Sequence, residues 1–166
     1  PPMDPAWMIE TINRNLAGYD NFFWDAFTAL RINVISGDYV EFGSWGANTF
    51  KQAHRHLAAS GVPRHMWAFD SFESLPAATD PRDVHPGWRQ ESGLGQGGVE
   101  EFHEACARHG IPREAYTAVE GYYDAVLPGF GADDPPNDIA LVLFDCNMYS
   151  SSVSVFEFLS TRLKHG

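Results

Sequence analysis

Tyr39-Val-Glu-Phe-Gly-Ser-Trp-Gly46, followed by a helical pattern from Ala47 to Ala59 that stops before Gly61, is the stretch that decides the fold. A short β-prone run, a glycine-bearing turn and a helix in that order form a strand, loop and helix. Three more strand candidates follow: Met66 to Phe69 ending at Asp70, Ala115 to Val119 ending at Glu120, and Ile139 to Phe144 ending at Asp145. Helical patterns from Val99 to Arg108 and from Ser150 to Lys164 come after the second and fourth of these strands. Unbroken apolar strands alternating with helices indicate a parallel sheet covered on both faces. The predicted class is therefore α/β, a doubly wound, Rossmann-like sheet.

Two helical stretches precede this core. From Asp4 to Leu16, Trp7, Met8, Ile12 and Leu16 recur at helical spacing, and Asp4 before Pro5 suits an N-cap followed by proline. A second stretch from Asp20 to Ile35 is rich in aromatics, and Gly37 is expected to end it in a left-handed conformation. We read residues 1–36 as a helical cap, 37–166 as the core of a single domain, and the Pro- and Gly-rich run 74–98 as a lid or binding loop.

Acidic residues outnumber Lys and Arg by 22 to 11, so the surface repels nucleic-acid and lipid phosphates. Neither a nucleic-acid nor a membrane partner is expected. Cys106 and Cys146 are far apart and form no CxxC pair, which excludes a disulfide framework or thiolate zinc site and fits a reducing cytoplasm. No apolar run approaches the ~18 residues of a membrane span. His54 and His56 lie two apart on a helix, share no face, and read as solvated surface.

In open α/β sheets ligands bind at the carboxyl ends of the strands. Here those ends read Glu41-Phe-Gly43, Asp70-Ser71, Glu120-Gly121 and Asp145-Cys-Asn147. The loop from Gly43 to Gly46 lacks the third glycine of a dinucleotide fingerprint, and Glu41 would repel a pyrophosphate there. S-adenosylmethionine, with a positive ammonium and sulfonium and no phosphate, has the opposite demand. Asp70 is placed to accept hydrogen bonds from both ribose hydroxyls. No Gly-Lys-Ser/Thr follows the glycine loop, which excludes a P-loop.

The chain from about Gly37 to Leu163 resembles the macrocin O-methyltransferase family, class I S-adenosylmethionine-dependent enzymes that methylate sugar hydroxyls in natural products. The segments that carry the likeness are Val40 to Trp45, Phe69-Asp-Ser-Phe-Glu-Ser-Leu-Pro76, Gly121-Tyr-Tyr-Asp124 and Asp145-Cys-Asn-Met-Tyr-Ser150. The resemblance implies that Glu41, Gly43 and Ser44, with Gly46 in the same loop, line the methionine end of the cofactor. It places Asp70 and Ser71 on the ribose and adenine side, and Gly121 and Tyr122 in the adenine pocket. It also implies Mg2+ at Asp145, completed by an acidic pair beyond Gly166. Family members usually carry a second aspartate where this chain has Asn147, and an amide cannot take a proton in the working pH range. Asn147 is thus a candidate to hold the acceptor hydroxyl rather than deprotonate it, with His85 a candidate to receive the proton.

The expected function is an S-adenosylmethionine-dependent O-methyltransferase acting on a small-molecule acceptor, a sugar or natural product. The alternatives are a non-catalytic cofactor-binding or assembly protein of the same fold, and an NAD-dependent oxidoreductase. Formation of a homo-oligomer is left open. Class I sheets have further strands beside the fourth, so the sheet is expected to be incomplete at its C-terminal side, its last strand otherwise presenting an apolar edge.

Overall fold

Side-chain parity along the strands sorts the core into two layers. A computed structural model of the chain describes residues 5–84 and 97–164. In it β1 (Asp38–Phe42), β2 (Met66–Asp70), β3 (Tyr116–Glu120) and β4 (Ile139–Phe144) form one parallel sheet in the order β3-β2-β1-β4. Successive residues of a strand point to opposite faces. Tyr39, Met66, Ala68, Tyr116 and Leu143 therefore pack on one side, against Phe23 and Phe27 of α1 (Pro5–Ile32), Phe50 of α2 (Asn48–Ser60) and Phe102 of α3 (Gly98–Arg108). Val40, Phe42 and Phe69 pack on the other, beneath Val126 of α4 (Tyr123–Val126) and Val155, Phe158 and Leu159 of α5 (Tyr149–Leu159), and Ile139 joins them across the register shift at which β4 skips Ala140 against β1. Both faces are covered, as the unbroken apolar strands predict. The chain winds outward from β1 to β3 and then crosses back to β4 on the far side of β1, so the strand order reverses between β1 and β4. A crevice opens at such a reversal.

Four expectations are corrected. The two cap helices are one helix, α1, running through Gly18. A mid-helix glycine costs only ~1 kcal/mol, whereas burying Phe23 and Phe27 contributes about 1.5–3 kcal/mol each. Helix α1 ends at Ile32, and it is Val34 that turns left-handed after it, at φ +56°. Gly37 serves the start of β1 instead: at its φ of +121° an added Cβ would sit 2.6 Å from the carbonyl of Asp138. His56 is not solvated. Its side chain is 10% exposed, its Nε2 lies 2.5 Å from Asp20 of α1, and its ring meets the edge of Trp24. Docking of α1 on α2 buries this histidine and, with the neighbouring Arg55 charge, lowers its pKa.

The last helix is shorter than its pattern suggests, because residues 162–164 turn back beside β4. Ile139 N–H donates to Arg162 and Lys164 N–H donates to Ile139, each at 3.0 Å. Among the described residues β4 is otherwise an edge strand. No described helix is long and apolar enough to cross a membrane.

Candidate functional site

A cleft of ≈ 290 Å³ opens at the carboxyl ends of the strands, close to the ~300 Å³ lower bound for small-molecule sites. Its floor is where β1 and β4 end side by side. There Asp145 N–H donates to Phe42 at 2.9 Å and Gly43 N–H donates to Phe69 at 3.0 Å. Gly43 has φ +94°, and a Cβ on it would fall 2.3 Å from the Asp145 carbonyl. Only glycine lets the two strand ends close under the cleft.

Four segments wall the cleft: Gly43 and Trp45 with Asn48 and Thr49 of α2; Asp70 to Pro76; Gly121 to Tyr123; and Asp145 to Met148 with Ser151 of α5. Asp70 ties two of these together. Its Oδ1 accepts from Phe72 N–H at 2.8 Å and its Oδ2 from Trp45 N–H at 3.0 Å. Burial raises its pKa, and those backbone amides oppose the rise. Each carboxylate oxygen has a further lone pair, so Asp70 remains able to accept from a ligand hydroxyl.

Among the residues predicted from sequence, Gly43, Asp70, Ser71, Gly121, Tyr122, Asp145 and Asn147 come together in the cleft lining. Glu41, Ser44 and Gly46 do not line it. Glu41 has the parity of Tyr39, which turns its carboxylate into the α1/α2 face, and it is fully buried. There it accepts hydrogen bonds from Tyr39 Oη and Thr49 Oγ1, both at 2.6 Å. Thr49 itself lines the cleft, so the Glu41 carboxylate lies one hydrogen bond below the floor. Burial, opposed by those two hydroxyls and assisted by the charges of Asp145 and Asp70, pushes its pKa up to about 7. Ser44 is buried with its hydroxyl directed at the Glu41 carbonyl, and Gly46, at φ +69°, turns the backbone into α2. His85 lies outside the described residues, as does most of the proposed lid.

Several lining residues carried no role in the sequence reading. Trp45 stands half exposed at the rim. Thr49 lies on the first turn of α2, where side chains lean back toward the helix N-terminus, a signal that could have placed it. Tyr19, which does not itself line the cleft, had no local signal either: α1 brings its phenol to Asp145, and burial, followed by the charges of Asp145 and Glu41, raises its pKa. Tyr123 donates to the Phe69 carbonyl at 3.2 Å. Burial pushes the Cys146 thiol up to about 12, which rules it out as a nucleophile near neutral pH.

The lining contains the carboxylates of Asp70, Glu73 and Asp145 and, among the described residues, no Lys, Arg or His. The cleft is therefore built for a positive ligand. A divalent metal is less well served. Asp145 and the Asn147 amide offer oxygen, but the described residues hold no group of three or more His, Cys, Asp or Glu side chains able to bind an ion. That falls short of the near-octahedral oxygen set Mg2+ demands.

The same fold occurs in solved O-methyltransferases. The O-methyltransferase NovP superposes with a TM-score of 0.72 at 21% identity, covering 87% of this chain and 60% of that one. The calicheamicin methyltransferase CalS11 gives 0.70 at 22% identity, covering 99% of this chain and 68% of that one. A second, apo structure of CalS11, described as a TDP-rhamnose 3'-O-methyltransferase, gives 0.60 at 19% identity. The chain thus spans about three fifths to two thirds of the length of these structures. No curated protein sequence matches it. The family model for macrocin-O-methyltransferase (TylF) matches residues 20–166, which takes in every strand and each wall of the cleft; the chain belongs to that family.

Proposed function

We propose that the cleft binds S-adenosylmethionine and that the chain directs transfer of its methyl group to a hydroxyl of a small molecule, a sugar or a sugar-bearing natural product. The observation that carries this reading is the cleft's charge. Its described lining holds three carboxylates and no cation, a fourth carboxylate lies beneath Thr49, and the crevice sits at the reversal of strand order. NAD would bring a pyrophosphate into that field, at a Coulomb cost. The family and the solved neighbours, one of them a sugar-nucleotide O-methyltransferase by its description, support a hydroxyl acceptor.

The bound cofactor supplies an electrophilic methyl on sulfur. Bound there, that group would pass its methyl from sulfur to the acceptor oxygen and leave as a neutral thioether, with water to take up the hydroxyl proton. Asp70 would accept from the ribose hydroxyls through its free lone pairs, and Gly121, whose missing Cβ leaves room for the Val126 side chain, would offer its backbone on the adenine side of the lining. Asn147 and Asp145 hold the acceptor hydroxyl, Asp145 as a hydrogen-bond acceptor and Asn147 through its amide. Holding two reactants in line is by itself a large source of rate.

Calorimetry separates this reading from its competitor. S-adenosylmethionine and S-adenosylhomocysteine should each bind with one-site stoichiometry while NADH gives no heat. Heat with NADH and none with S-adenosylhomocysteine would overturn the assignment.

A further inference from the structure

The wall between Asp70 and Val84 is fastened at a second aspartate. Residues 81–83 form a single 3-10 turn capped by Asp80, and the turn lies against the start of α5. Asp83 Oδ1 accepts from the backbone N–H groups of Tyr149, at 2.5 Å, and Ser150, at 3.3 Å. Beside it the Arg82 guanidinium, paired with Asp80 at 2.6 Å, stacks 3.6 Å above the Tyr149 ring.

Two features separate this contact from an ordinary helix cap. The N-cap position of α5 is Met148, whose side chain makes no capping bond, although a Ser, Thr, Asp or Asn there would satisfy the same amides locally. The capping carboxylate comes instead from 66 residues upstream. It is also costly: Asp83 is only 3% exposed, and its Oδ2 has no hydrogen-bond partner, a penalty an uncharged local cap would avoid. The remote cap does what a local one cannot, joining two walls of the cleft. Ser71, Glu73, Leu75 and Pro76 lie on the strap that Asp83 ends, while Asn147, Met148 and Ser151 flank the amides it holds. Midway, Tyr122 donates to the Ser74 carbonyl at 3.3 Å.

We propose that Asp83 is a positioning residue: by capping α5 from the far wall it sets the width of the cleft, and with it the placement of Ser71 against the cofactor and of Asn147 against the acceptor. This inference rests on the cofactor reading above. It is tested on the full chain with Asp83→Ala, Asp83→Asn and Arg82→Ala, using S-adenosylhomocysteine as the probe. Asp83→Ala should weaken S-adenosylhomocysteine binding about tenfold and raise amide hydrogen exchange at residues 71–76 and 149–151 together. Asp83→Asn, which keeps an oxygen for the two amides, should restore affinity to within about twofold and restore protection at both walls.

Arg82→Ala removes the partly exposed stack on Tyr149 and the Asp80 pair while leaving the Asp83 cap in place, and should give the same paired change at smaller amplitude, which keeps the test alive if Asp83→Ala does not fold. Exchange that rises at 149–151 alone, with affinity unchanged in every variant, would make Asp83 a structural cap and overturn the inference while leaving the cofactor reading intact. Absence of binding by the wild-type chain would sink both.

Discussion

Glu41 and Asp145 belong to the ends of neighbouring strands, yet the structure treats them in opposite ways. Glu41 lies inside β1, one residue short of its end, and is fully buried with both carboxylate oxygens bonded to hydroxyls. Asp145 lies one residue past the end of β4 and stands exposed in the cleft lining. Parity and strand length, rather than residue type, decide which acid meets a ligand directly and which acts through the floor. The cleft draws its negative potential from both, and burial lifts the Glu41 pKa to about 7.

The joint between the two strand ends is the place where this contrast breaks most easily. Gly43→Ala forces a Cβ into the Asp145 carbonyl at a positive φ; strain and overpacking together should cost about 4 kcal/mol, read as a fall in the denaturation midpoint at constant slope. A loss under about 1 kcal/mol would mean that the strand ends do not need their close approach.

The buried acid gives the next largest effect. Its pKa rises from 4.5 unfolded to about 7 folded, so between those values the folded chain holds a proton that the unfolded chain has released. Glu41 therefore supports stability fully below pH 4.5 and loses that contribution as pH rises to about 7, after which the loss is complete. The change is on the order of 3 kcal/mol. Glu41→Gln should flatten this part of the stability profile and leave the variant more stable than wild type at pH 8. An unchanged slope would place the titrating group elsewhere.

Asp70→Ala removes the acceptor of the Trp45 and Phe72 amides and of the proposed ribose hydroxyls. It should weaken S-adenosylhomocysteine binding roughly 10- to 30-fold, or about 1.5–2 kcal/mol, in a titration at fixed pH. At the exposed end of the scale, Asp145→Asn should change unfolding free energy by no more than about 0.5 kcal/mol. A larger loss would show that Asp145, like Glu41, works as part of the core.

The contrast also marks what the sequence could convey. The unbroken runs at Val40, Phe69 and Ile139 to Phe144, with glycines after the first and third strands, made the parallel sheet and its carboxyl-end cleft legible. Gly43, Asp70, Gly121 and Asp145 were readable because strand ends place residues almost without help from the rest of the fold. Glu41 was expected in the cleft lining and is absent from it, a placement that parity counted from the buried Tyr39 conveys. Tyr19 and Asp83 were invisible for a different reason. Their contacts reach across the tertiary structure to Asp145 and to the start of α5, and no local pattern encodes a partner so distant. The join in α1 was not read because the apolar spacing lapses between Leu16 and Asp20, while the burial of Phe23 and Phe27 that holds one continuous helix is a tertiary effect.

The most direct measurement is a carbon-13 NMR titration of the Glu41 carboxyl, assigned with Glu41→Gln, in the free chain and with S-adenosylmethionine bound. The account predicts a midpoint of about 7 in the free chain and a lower one in the complex, because a cation above Thr49 favours the carboxylate. A midpoint near the ordinary glutamate value in the free chain, unmoved by S-adenosylmethionine, would contradict both the buried acid and the cationic ligand assigned to the cleft above it.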